Sequence, residues 1–221
     1  MLRVLSLAAL GAGVLAARQR VLHWGATPEE VAAEYSGDAL IPNPSGRSTM
    51  AVTLPAAPES VWPWLVQMGA DRAGWYSWDR LDNGGRPSAT EIVPKWQELR
   101  EGDRLNATTD GRVYFVAAIV DPPSTLVLRS DVAMSSGQSF DPRGPLPKRF
   151  IEGVWGFHLT ELPNQRTRLV VRTVGRNAPR PVMAVFDFLV GEPAHLIMQL
   201  RQFGNLRRRV RAEALPAPKT T

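Results

Sequence analysis

The chain has 221 residues, 44% of them apolar, no cysteine and a formal net charge of +5. That length suits one full domain and is short for two. Without cysteine there can be no disulfide, thiol nucleophile or cysteine-ligated metal, though the compartment stays open.

Residues 4–17, between Arg3 and Arg18, form an apolar run of fourteen residues without a charge. A spanning helix needs about 20 residues, so the run fits a signal-peptide core, with small residues at Ala16 and Ala17 for cleavage, or a short uncleaved anchor. A buried core helix is the third reading. Residues 1–22 are set apart as this signal or anchor segment. Next, Thr27, Pro28 and Glu30 have the spacing of a capping box over a short helix. Residues 37–46, rich in turn formers, read as a linker, so 23–46 is a short helix and linker.

Residues 47–54 alternate as a strand ended by Pro55. In PESVWPWLVQMG, Val61, Leu65 and Met68 share a helical face, and Gly69 is a helix stop. Pro63 costs that helix a hydrogen bond away from its first turn. The stretch RAGWYSWDRLDNGG (72–85) follows as a loop or short helix. Strands are expected at 103–108, 111–120, 125–132, 153–162 and 167–175, with a long loop at 134–150 and a hairpin turn at PNQR. Alternation places Trp155, Phe157 and Leu159 on one side of that hairpin, opposite Leu169, Val171 and Thr173. His158, Arg168 and Arg172 take the other side.

Segment 181–191 reads as a short apolar helix lidding the fold. Pro193, with Glu192 before it, begins a second helix of about twenty residues, roughly 30 Å long. Leu196, Leu200, Phe203 and Val210 form its stripe, with Met198 and Leu206 at the edges. The expected class is α+β: a curved antiparallel sheet that the long C-terminal helix must cover, over residues 47–213, with a flexible tail at 214–221.

WGAT (24–27), VWPWLVQMG (61–69) with GWYSWDRLDN (74–83), WGFHL (155–159) with TRLVVR (167–172), and RAE (211–213) resemble the START-like, or SRPBCC (polyketide cyclase/dehydrase-like), superfamily. The resemblance is to an actinobacterial group of unassigned function, and it spans residues 24–213. It implies a helix-grip fold with a deep apolar cavity between sheet and C-terminal helix. Members bind lipids, sterols, polyketides, plant hormones or aromatic rings, and some are enzymes. Fold alone does not choose among these.

The ligand-binding candidates are Trp75, Tyr76, Trp78, Asp79, Tyr114, Trp155, Phe157, Arg172 and Met198. Aromatics at a cavity mouth stack on planar ligands, though the same rings serve equally as loop anchors. Asp79 is a general base if desolvated among indoles, and otherwise a cap or ion-pair partner of Arg80, Arg86 or Arg172. Arg172 suits a ligand carboxylate or phosphate, or a structural ion pair. Tyr114 and Phe115 point to opposite faces, so one of them sees the cavity. His23, His158 and His195 have no metal-ligand spacing. No catalytic residue, metal or cofactor is assigned, and motifs for serine hydrolases, nucleotides and zinc proteases are absent.

The expected partner is an apolar small molecule: a lipid, isoprenoid or polyketide-like compound. The alternatives are a polyketide cyclase/dehydratase-like enzyme and a membrane-associated interaction module with a filled core. Arg201, Arg207, Arg208, Arg209 and Arg211 suit the end of a helix or an anionic membrane surface. No nucleic-acid motif accompanies them. Membrane association through the N-terminal run is the expected location, with secretion or the cytoplasm as alternatives.

Overall fold

A computed structural model describes residues 2–214. The expected tail lies outside them, apart from Ala214. The elements are α1 (Leu2–Leu22), α2 (Pro28–Ala32), β1 (Gly46–Leu54), α3 (Pro58–Val66), α4 (Asp79–Asp82), β2 (Arg104–Asn106), β3 (Tyr114–Asp121), β4 (Thr125–Ala133), β5 (Gln138–Ser139), β6 (Phe150–Leu162), β7 (Arg166–Ala178), α5 (Arg180–Phe186) and α6 (Glu192–Ala214). The strands form one open antiparallel sheet in the order β1-β7-β6-β4-β3-β2, with β5 on β4. This is an α+β architecture, an open curved sheet with a long C-terminal helix, consistent with a helix-grip plan.

The central hairpin follows its alternation. Trp155, Phe157 and Leu159 stand opposite Thr173, Val171 and Leu169. Asn164 and Gln165 reverse the chain at φ 64° and 50°. This inner face packs on Trp64 and Leu65 of α3 and on Phe203, Leu206 and Val210 of α6. Burying each such side chain contributes about 1.5–3 kcal/mol.

The outer face carries charge. The guanidinium of Arg172 donates to Asp38 at 3.1 and 3.0 Å and to the Thr49 hydroxyl at 2.6 Å. Arg168 donates to Glu30 at 2.7 and 2.8 Å. Glu30 also closes the capping box with Thr27. Residues 37–46 are therefore more than a linker: a helical turn at Asp38–Leu40 brings Asp38 to the sheet. His158 is on the same side, its ring 4.7 Å from that of Tyr35.

The chain reaches this face by rounding the β1 edge. Ser48 donates to Leu22 at the end of α1, and Ala51 N–H donates to Trp24. Gly25, at φ 72°, makes the crossing, where a Cβ would lie 2.3 Å from Ala51 O. Glycine adopts that conformation at no steric cost.

One sequence expectation fails at Pro193. The chain is helical without a break from Arg180 to Ala214, through a wide turn at Asp187–Gly191. There Glu192 N–H donates five residues back, to Asp187. A proline inside a helix lacks its N–H and crowds the carbonyl four residues before it, and a π-type turn just upstream adjusts the ladder. Segment 181–191 is therefore the first part of the long helix and not a separate lid. Among the described residues, the helical stretch Arg180–Ala212 is long and apolar enough to cross a membrane by length and composition, and 6% of its most apolar window is buried.

Candidate functional site

A cleft of about 330 Å³ opens between the inner sheet face, α6 and the loop that precedes α4. Its wall is aromatic. Trp75 lies 5.3 Å from Phe115 and 5.7 Å from Trp155, and Phe115 and Trp155 are 5.9 Å apart. The Trp75–Phe115 pair meets edge-on and the other two are tilted, and edge-to-face contact is a favoured aromatic arrangement.

Backbone geometry sets up this wall. Tyr76 has φ 57°, an uncommon value for a bulky residue. It sends the Tyr76 ring into the core, where Gln67 donates to its hydroxyl at 2.8 Å, and burial pushes the phenol pKa up. The neighbours Trp75 and Ser77 both line the cleft. Amides of α6 fasten this loop. Gln202 donates to Trp75 O at 2.9 Å, Asn205 donates to Tyr76 O at 2.7 Å, and the Ser77 hydroxyl donates to Met198 O at 3.1 Å. The Trp155 indole donates to Gln199 at 3.3 Å, and Gln199 donates to Gln202 at 2.8 Å. A polar chain thus runs from the sheet through the helix to the loop.

Two titratable groups line the cleft. The carboxylate oxygens of Asp82 are buried and lack a hydrogen-bond partner. Burial raises the pKa of this carboxyl, opposed by the nearby Trp78 N–H and Ser77 hydroxyl, which stay outside hydrogen-bonding geometry. Burial lowers His195 to about 4, so its imidazole is neutral at pH 7. Its Nε2 lies 3.2 Å from the Thr173 hydroxyl.

Of the nine candidates from sequence, Trp75, Trp155 and Met198 line the cleft. Phe157 is buried beside it, its ring 4.7 Å from Trp155. Tyr76 belongs to the core. Trp78 is exposed under the Arg201 guanidinium at 5.0 Å. Asp79 accepts from the Ser88 hydroxyl at 2.5 Å, and that hydroxyl accepts from Tyr76 N–H, so Asp79 braces the loop through a serine and not an arginine. Tyr114 packs under Arg104 at 4.4 Å, and its neighbour Phe115 faces the cleft. Arg172 is on the outer face, bonded to Asp38.

The sequence reading missed Asp82, Gln199 and Gln202, and left the choice of Phe115 open. Only Phe115 had a usable signal, strand alternation. The arginines near the C-terminus are largely engaged within the fold: Arg207 donates to Thr53 O and Arg209 to Ala89 O, at 2.9 and 2.8 Å. Among the described residues no cluster of three His, Asp or Glu is suited to a metal ion.

No protein-family model matches this chain, and no curated protein matches it. Solved structures resemble it at low identity. A hypothetical protein of Helicobacter pylori is 14% identical, with a TM-score of 0.47, covering 80% of this chain and 95% of that one. A Mesorhizobium loti protein is 21% identical, with a TM-score of 0.43, covering 76% and 100%. A putative protein of the dynemicin biosynthetic locus is 18% identical, with a TM-score of 0.39, covering 77% of this chain and 49% of that one. None of these likenesses carries a function to this chain.

Proposed function

We propose that this chain is a START-like (SRPBCC) binding protein that holds an apolar, ring-bearing small molecule in the cleft under α6. The observation that carries the reading is the packed wall of Trp75, Phe115 and Trp155, with Met198 also lining the cleft and most of the surface it exposes being apolar. Ligand pockets are typically about 300–1,000 Å³, mostly apolar, with a small number of placed polar groups. At about 330 Å³ this one suits a polyketide-like or isoprenoid ring better than a two-chain lipid. The test is native mass spectrometry of the full chain with extraction of co-purified molecules, followed by titration of wild type and Trp155→Ala. The expected result is a bound apolar compound whose affinity falls at least about tenfold in the variant, as for a buried aromatic anchor. Absence of any bound compound, with no thermal shift from ring-bearing apolar molecules, overturns it.

A second reading, an enzyme, is favoured by one observation: Asp82 and His195 line the same cleft with their pKa values displaced in opposite directions. Pairs of titratable groups held apart in this way serve acid–base chemistry. Incubating the extracted ligand with wild type and with Asp82→Asn separates the readings, since only an enzyme changes the ligand's mass or isomer and only with Asp82 intact.

Membrane attachment through α1 rests on the apolar run. It is supported by Val182, Phe186, Leu189 and Ile197, which are exposed on the helix that Arg18 of α1 grips through Glu192. Recovery of the full chain, unprocessed, in the soluble fraction of cells would sink this part.

A further inference from the structure

The helix over residues 182–197 carries two stripes. Met183, Asp187 and His195 face the fold. Met183 is buried, Asn177 donates to Asp187 at 2.8 Å, and His195 Nε2 lies 3.2 Å from the Thr173 hydroxyl. Val182, Val185, Phe186, Leu189 and Val190 stand at i, i+3, i+4, i+7 and i+8. In a globular protein that spacing makes an apolar stripe that faces the core. Here every member of it is between 50% and 66% exposed. Contiguous apolar surface of this kind marks an interaction site.

A second uncovered surface adjoins it. Residues 11–17 of α1 are all exposed and none carries a charge. Arg18, next along α1, donates to Glu192 at 2.8 and 2.7 Å. Two apolar surfaces therefore meet at one ion pair. A protein partner covers one face of a helix, whereas hydrocarbon covers every side, and a helix that is apolar all round belongs in a core or a membrane.

The charges agree with that choice. Between residues 181 and 198 the charged side chains are Asp187 and Glu192. Glu192 is neutralised by Arg18, and Asp187 lies 3.7 Å from Arg180. Ionisable groups near hydrocarbon are paired in this way. Arg180 and Arg201 flank the segment, and cations in such places are drawn to anionic headgroups.

We propose that residues 182–190, with Ile197 beyond them, lie flat in a lipid bilayer as a second attachment beside α1. This deepens the membrane part of the proposed function and rests on it. The helix passes the length and composition test for crossing, but its bonds to Asn177 and Thr173 of β7 hold one side of it on the sheet. It is therefore an in-plane element, with its apolar stripe sunk about 5–10 Å into the boundary between headgroups and acyl chains.

Because the chain has no cysteine, one label can be placed at will. Leu189→Cys and Glu161→Cys of the full chain each carry a nitrobenzoxadiazole fluorophore. Glu161 is exposed near the turn of the β6–β7 hairpin, at the opposite end from the Ala178 that leads into the helix. Vesicles are phosphatidylcholine with a minority of phosphatidylglycerol, with and without bromine on the acyl chains. The label at 189 should shift to the blue on vesicles and be quenched by the bromolipid, and the label at 161 should do neither. Phe186→Ser with Leu189→Ser in the unlabelled chain should lower vesicle partition by at least about tenfold and leave the denaturant midpoint unchanged. A chain held on vesicles with no quenching at 189, or with equal quenching at both sites, overturns the inference and leaves attachment through α1 standing. A blue shift at 189 without vesicles that grows with protein concentration also overturns it, since a second copy then covers the stripe. Failure of the full chain to bind vesicles removes both membrane readings and leaves the cleft reading untouched.

Discussion

The two halves of the last helix reverse what their composition implies. Residues 180–197 are rich in Val, Leu, Ile and Phe, yet Val182 and Leu189 are 66% and 64% exposed. Residues 199–210 contain three amides and four arginines, yet Gln199, Gln202, Phe203, Asn205, Leu206 and Val210 are all buried. What lies beneath decides the matter. The second half sits over the inner sheet face and α3, and the loop at 75–77 offers it backbone carbonyls. The first half projects past that support. Burial of a helix face depends on a matching surface and on satisfied polar groups more than on the hydrophobicity of the helix.

The largest test of this contrast is Leu206→Ala. It should lower unfolding free energy by about 2–5 kcal/mol, read as the denaturant midpoint. A loss under 1 kcal/mol would mean the second half is loosely seated.

Acid should act next. The folded His195 pKa is depressed to about 4 by burial, while the unfolded chain protonates near the ordinary value of about 6.5. Its contribution is therefore complete above pH 6.5 and is lost as pH falls toward 4. The loss is at most about 3 kcal/mol. His158, also lowered to about 4, adds to it over the same window. Asp82 opposes it, because its raised carboxyl pKa makes acidification relieve a buried charge. Denaturation at pH 7.5 and 4.5 should show a smaller acid loss in His195→Asn than in wild type, and equal losses would contradict a desolvated imidazole.

The amides come third. Gln202→Leu or Asn205→Leu leaves a carbonyl of the 75–77 loop without its donor, at a cost of about 1–3 kcal/mol. The same change should weaken ligand binding, because Gln202 fixes Trp75. A stable variant with unchanged binding would show that the amide chain is dispensable.

The smallest effect belongs to the exposed half. Leu189→Ser should shift stability by no more than about 0.5 kcal/mol. A loss above 1 kcal/mol would show that this face is docked in the folded protein.

The β6–β7 hairpin was legible from sequence because strand side chains alternate with a period of two. The two sets of residues that face each other were named from alternation, and the register that pairs them came from the structure. The helix stripe was legible only in part. Leu206, placed at an edge, has no exposed surface, because the buried stripe is rotated to include Gln199 and Gln202. A buried amide carries no signal of its own, since what pays its desolvation is a carbonyl more than a hundred residues away. Asp82 was passed over for Asp79 on similar grounds. Both sit on α4, but Asp79 has Ser88 as partner and Asp82 lines the cleft with none. Pro193 misled because a start signal and a proline tolerated inside a distorted helix look alike in sequence.

The crossing at Gly25 has a consequence for where this domain can be cut. Arg172 is 4% exposed, and its counter-ion Asp38 arrives on the strap that rounds β1. Arg168 depends in the same way on Glu30. An expression piece that starts at β1 keeps every strand and loses both carboxylates, and a buried charge stripped of its partner costs about 3–5 kcal/mol. The folding unit therefore begins ahead of Glu30, so a boundary drawn at the first strand would discard the anions that neutralise its interior.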